Sequence, residues 1–146
     1  MWTNTCCSHP LYCESELVLD NAEGIRAAAR RRLEFELGIP EKTIALDEFQ
    51  YLTRIHYKAN SDPIWGEHEI DYILFLQKDL DIKPNANEIE CVKYASLDEV
   101  NEMYRLQDAY TLTPWFRLIL ETLLPQWWKN LNNLSKFIDH NKIHRL

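Results

Sequence analysis

This 146-residue sequence has only three glycines and two methionines, and no tract rich in Gly, Ser or Pro. Flexible linkers and low-complexity segments are therefore not expected, and the length suits one domain, residues 1–146, with a real core. Its four cysteines, Cys6, Cys7, Cys13 and Cys91, include no C-x-x-C pair, and no second Cys/His pair stands at zinc-knuckle spacing. No secretory leader is visible, nor an apolar run of the roughly 18–20 residues that a membrane span needs. Reduced thiols in a cytoplasmic protein are the expectation, with no membrane partner. Excess positive charge is lacking too. A net charge of −7 argues against nucleic acid as a partner.

What is present is aromatic and locally charged. Five Trp and seven Tyr suggest aromatic packing or an aromatic-lined pocket, and Arg26, Arg30, Arg31 and Arg32 crowd one short stretch. An acidic protein can still hold an anion there. Asp20 to Gly38 reads as a helix, with Asp20 at the N-cap, Glu23 three residues on, Gly38 at the C-terminal turn and Pro40 behind it. Ile25, Ala29, Leu33 and Glu36 fall along one side, so a carboxylate ends an apolar stripe. Phe49 to Tyr57 alternates as a strand, Trp65 to Lys78 reads as a second, and Ile89 to Ala95 as a shorter third. Ser96 to Glu99 is a capping box opening a helix to about Leu106. Thr113-Pro114 opens another, which Pro125 should break or kink. Helices and strands together indicate an α/β or α+β class.

Three groups of residues carry chemistry. Glu67 and Glu69 share one face of their strand, as does Asp71, and adjacent carboxylates require a cation, a shared proton or full solvation. A solvated edge and a metal or proton site both satisfy that requirement; the apolar YILFL that follows favours the site, and oxygen ligands suit Mg²⁺ or Mn²⁺. Cys7 and His9 point to one side of an extended segment, so thiol and imidazole could serve one centre. Cys6 faces the other way and reads as packing. Glu36, with Arg32 one turn before it, is the third group. Around it, Arg31, Leu33, Glu36, Gly38 and Ile39 fit a Nudix box, while Arg32 and Phe35 replace two of the glutamates a Nudix hydrolase would use.

With TNTCCSHP, RRLEFELGIP, YLTRIHYKANSDPIWGEHEIDYILFL and TPWF in order, the sequence resembles type I isopentenyl-diphosphate Delta-isomerase over nearly its whole length. The resemblance implies a Nudix-like α/β fold, a mixed sheet flanked by helices. It implies divalent-metal-dependent acid–base isomerisation of isopentenyl diphosphate to dimethylallyl diphosphate, for isoprenoid and sterol biosynthesis, by a monomer. It casts Cys7 and Glu69 as the catalytic pair, Tyr57 as the tyrosine beside that glutamate, and Trp115 as the ring facing a carbocation. His9, Glu67 and Glu69 match ligands of one metal site (Mg²⁺, or Mn²⁺ or Zn²⁺). Glu36 matches the ligand of a second Mg²⁺ bound with the diphosphate, and Arg32 a diphosphate contact.

Against the family pattern, the portion before the cysteine motif is lacking. That portion would supply early strands, two metal-binding histidines and further diphosphate contacts; His56, His68, His140 and His144 do not stand where those ligands should. An inactive fragment or pseudoenzyme is therefore the competing expectation, with a Nudix hydrolase disfavoured by Arg32 and Phe35. The final His144-Arg145-Leu146 is a loose relative of a peroxisomal address.

Overall fold

The computed structural model describes residues 1–60, 62–106 and 108–146. Its regular elements are helix α1 (Glu23–Leu37), strands β1 (Gln50–Asn60) and β2 (Gly66–Phe75), helices α2 (Leu97–Arg105), α3 (Pro114–Thr122) and α4 (Leu124–Trp128), and strand β3 (Ile143–Arg145). The strands form a mixed three-stranded sheet in the order β2-β1-β3, and β1 runs parallel to β3. The α/β expectation is met. Two compact units divide the chain. The first holds Met1–Asn4, Leu52–Ile73 and Tyr94–Leu146; the second holds Thr5–Tyr51 and Leu74–Lys93.

The second unit is organised by α1. Leu33, Leu37, Ile39, Ile44 and Phe49 form its buried cluster, with Leu74, Leu76, Leu80, Ile82 and Ile89 packed against it. The helix starts later than the Asp20 cap signal suggests. Asp20–Ala22 is a 3₁₀ turn in which Asn21 and Ala22 both have positive φ, and the helix begins at Glu23 with no side-chain cap. Tertiary packing sets that start. The N–H of Gly24 donates to the carbonyl of Val18 at 2.9 Å, and a Cβ on Gly24 would stand 2.4 Å from the carbonyl oxygen of Glu16. At the other end Gly38 adopts φ 65°, as its position predicts, and its N–H caps the Glu34 carbonyl at 2.9 Å. Of the expected stripe, Leu33 and Glu36 are buried, while Ile25 and Ala29 are only half-buried.

The first unit is built on β1. Its buried face is realised in Tyr51, Thr53, Ile55, Tyr57 and Ala59, while on the other face Lys58 and Asn60 are exposed, Arg54 and His56 half-buried and Leu52 buried. The segment 138–146 runs along β1, with the Asp139 N–H on the Leu52 carbonyl at 2.9 Å and the Leu146 N–H on that of His56 at 3.0 Å. Ser96 caps α2 by accepting from the Glu99 N–H, and the Glu99 carboxylate takes the Ser96 N–H in return. Pro125 falls in the first turn of α4, so the two helices part at Leu123. Residues 89–95 form no strand; Val92 and Tyr94 lie exposed there. Among the described residues no helix is long and apolar enough to cross a membrane.

Gly24→Ala should lower stability by about 2 kcal/mol or more, because the contact it creates is with backbone that cannot swing aside. Thermal unfolding checks this: a melting temperature within about 1 °C of the unsubstituted protein would contradict it.

Candidate functional site

In the first unit, β2 places Glu67 and Glu69 on one side by its two-residue period, and β1 places Tyr57 to meet them. The Tyr57 hydroxyl lies 3.2 Å from Glu67 Oε2 and 3.2 Å from Glu69 Oε2. Its single proton is shared between two acceptors. Tyr57 is 2% exposed. Burial first, then the charges of Asp71, Glu69 and Glu67, push its ionisation well above the usual phenol range. The phenol is thus locked as a neutral donor facing concentrated negative charge. Trp115, next to Pro114 at the start of α3, packs its ring edge-on against Phe116, with centroids 6.0 Å apart.

In the second unit, two arginine–glutamate pairs fix the helix. Arg31 Nε donates to Glu16 Oε1 at 2.5 Å and its Nη2 to Glu16 Oε2 at 3.0 Å, while the same Nη2 also reaches the His9 carbonyl at 3.1 Å. Glu16 is buried and additionally accepts the Leu11 N–H at 2.7 Å. Arg31 therefore ties the segment carrying Cys7 and His9 to α1. The Arg31 hydrogen bonds hold the Glu16 carboxyl below its ordinary value, with the Leu11 N–H adding to the effect against the opposing influence of burial. Glu16 was not singled out from sequence; its only signal is a lone acid in an apolar SELVL run, and its partner lies fifteen residues away.

Arg32 is the second arginine. Its Nε donates to Glu36 Oε1 at 2.9 Å and its Nη2 contacts the same oxygen, Glu88 Oε2 lies 3.6 Å away, and the guanidinium sits 5.0 Å from the centre of the Phe35 ring. Glu36 is buried. Cys6 is more than packing. Burial, followed by the charges of Glu36 and Cys7, pushes its thiol up to about 12, and the thiol hydrogen-bonds Glu36. Cys7 and His9 are exposed.

A NUDIX domain model matches residues 18–116, about two thirds of the chain. The chain belongs to the NUDIX domain family. It is also 54% identical over 147 residues to isopentenyl-diphosphate Delta-isomerase 1 of Mus musculus, covering 99% of this chain and 65% of the mouse protein. It is 52% identical to the Bos taurus protein of the same name, again over 65% of that protein. With isopentenyl-diphosphate Delta-isomerase II of Clarkia breweri the identity is 47% over 152 residues, all of this chain and 53% of the plant protein. The chain thus spans between about half and two thirds of the length of these relatives.

Membership of the NUDIX domain family implies dependence on a divalent metal. Glu67 and Glu69 converge within reach of one hydroxyl, and their oxygens suit a hard cation. No group of three or more His, Cys, Asp and Glu side chains that could hold a metal comes together among the described residues. Of the three residues matched to the first metal site, Glu67 and Glu69 stand together in the first unit. His9 and Glu36 lie in the second unit, where Glu36 is already paired with Arg32.

Two measurements check these pairings. Glu16 has its folded-state pKa depressed, so it stabilises the fold above its unfolded value near 4.5, and that stabilisation is lost as pH falls through the folded value. Glu16→Gln should therefore flatten the acid limb of a stability-versus-pH curve and cost about 2 kcal/mol at neutral pH; an unchanged acid limb would contradict it. For Tyr57, alkaline absorbance is diagnostic. Tyr57→Phe should leave the tyrosinate amplitude of the folded protein near pH 10 unchanged, whereas loss of one seventh of it would show Tyr57 ionising like the other six.

Proposed function

We propose that this chain carries the acid–base chemistry of an isopentenyl-diphosphate Delta-isomerase, converting isopentenyl diphosphate to dimethylallyl diphosphate. The observation that carries the reading is the Tyr57–Glu67–Glu69 cluster, present in a sequence about half identical to curated isomerases along its full length. The reaction adds one proton to the terminal carbon of the double bond, leaving a tertiary cation at the branched carbon, and removes one from the internal CH2 on the other side of that cation, with no net redox change. Two proton-handling groups suffice, and Cys7 and Glu69 are assigned to them, one delivering and the other removing the proton. Tyr57, held neutral, donates to the carboxylates and fixes their orientation. The face of Trp115 offers about 0.5–2 kcal/mol to a developing tertiary cation without a lone pair that would trap it.

Glu67 and Glu69, with His9, are assigned to one divalent cation, which when bound would neutralise the carboxylate cluster; Mg²⁺ or Mn²⁺ suits the oxygens, and Zn²⁺ the imidazole. Glu36 is assigned to a second Mg²⁺ and Arg32 to the diphosphate. Both partners of the Arg32–Glu36 ion pair have a use in this reading: with substrate and cation bound, Arg32 would hold phosphate oxygens and Glu36 would hold the cation in place of each other. That exchange keeps each buried charge compensated before and after the substrate enters. A monomer in the cytoplasm completes the proposal.

The test is incubation of the purified chain with isopentenyl diphosphate and Mg²⁺, following dimethylallyl diphosphate. Cys7→Ala and Glu69→Gln should each lower kcat by about 100-fold or more. Turnover that survives both substitutions, or release of phosphate in place of isomerisation, would overturn the assignment.

A further inference from the structure

Strand alternation turns Tyr57 towards the carboxylates and turns its neighbour His56 the opposite way. His68, between Glu67 and Glu69, is reversed by the same rule. The two imidazoles meet on this outer face: His56 Nε2 and His68 Nε2 are 2.7 Å apart, with ring centroids 4.8 Å apart and planes inclined at 43°. The other nitrogen of His56, Nδ1, lies 3.3 Å from Arg145 Nη1, and Arg145 is the residue of β3 in register with His56. Arginine can only donate, so His56 Nδ1 must accept, which puts the His56 proton on Nε2. That proton is then given to His68 Nε2, and His68 keeps its own on Nδ1.

We propose that His56 and His68 form a two-imidazole site for a late first-row transition metal, Zn(II) being the physiological candidate, separate from the Glu67–Glu69 pair. Two ring nitrogens already aim at one point from adjacent strands. Tetrahedral zinc with Zn–N bonds of about 2.05 Å needs its nitrogens about 3.3 Å apart. Opening the observed 2.7 Å contact by a few tenths of an ångström per ring achieves this. Imidazole nitrogens select zinc, copper or nickel, whereas the carboxylates behind the sheet select harder cations. His68 is exposed, so the site has an entry path and water can fill the remaining positions. No third His, Cys, Asp or Glu joins the pair among the described residues, so the site is a weak, exchangeable one.

Arg145 opposes the metal. A bound ion takes the lone pairs of both Nε2 atoms, which moves the His56 proton to Nδ1, where it faces the guanidinium donor. Binding must therefore release Arg145 from His56. Metal on the pair and the side-chain contact that ties β3 to β1 are alternatives.

Zinc chloride titrated into the purified chain above pH 7, followed by imidazole nitrogen NMR, tests this. The His56 and His68 resonances should shift together, in one saturable binding curve. His68→Asn should weaken zinc binding at His56 by about tenfold or more, the loss of one of two chelating ligands. Arg145→Gln, at an exposed position, should tighten binding by about threefold or more by removing a competing donor and a repelling charge. Zinc affinity at His56 unaltered by His68→Asn, or unaltered or weakened by Arg145→Gln, would overturn the proposal, as would shifts confined to His9, His140 and His144. None of these readouts depends on isomerase turnover.

Discussion

One proton holds the centre of the first unit together. The Tyr57 hydroxyl serves Glu67 and Glu69 at once, at 3.2 Å from each, and burial and three nearby carboxylates oppose its ionisation. Without a neutral donor there, two carboxylates one strand period apart would repel with little to offset it. The constraint acts on both strands. β1 must keep its alternating buried face in register with β2, since a one-residue slip would replace Tyr57 by His56 or Lys58 and turn the acids outward.

The second unit solves a similar problem differently. Its buried acids, Glu16 and Glu36, are each matched by one arginine of α1, four residues away in the case of Glu36 and fifteen in the case of Glu16. The Glu16 pair is structural: it anchors the chain between Leu11 and His9 to the helix through charge-assisted hydrogen bonds. The Glu36 pair is built from residues that the proposed reaction uses separately. Cys6, lifted to a high pKa, remains a thiol and can donate to Glu36 without competing as a thiolate. Neighbouring cysteines therefore have different chemistry. Cys6 is half-buried against Glu36, and Cys7 is exposed.

Local signals were legible in the sequence where a side chain acts on its own neighbourhood. The alternation from Phe49 to Tyr57 became a fully buried strand face, Ser96 and Glu99 capped each other, and Pro125 parted two helices. Signals failed where a distant partner decides. Asp20 and Glu23 read as a capping pair, yet the approach of Gly24 to the Glu16 carbonyl moved the helix start to Glu23 through two positive-φ residues. Ile89 to Ala95 has strand propensity but forms no strand, since propensity alone does not make one. The Tyr57–Glu67–Glu69 cluster was anticipated only as a carboxylate pair plus a resemblance. That the phenol bridges both acids follows from strand register, which a single sequence does not carry. Glu16, and the bond between Cys6 and Glu36, depend on contacts between segments far apart in the chain.

The account stands on proton transfer to and from carbon, and isotope incorporation tests that most directly. Isopentenyl diphosphate incubated with the purified protein and Mg²⁺ in D₂O should give dimethylallyl diphosphate carrying deuterium in a methyl group, with incorporation lost in Cys7→Ala and Glu69→Gln. Product formed without deuterium, or deuterated product formed at an undiminished rate by both variants, would contradict the assignment of Cys7 and Glu69 as the proton-handling pair.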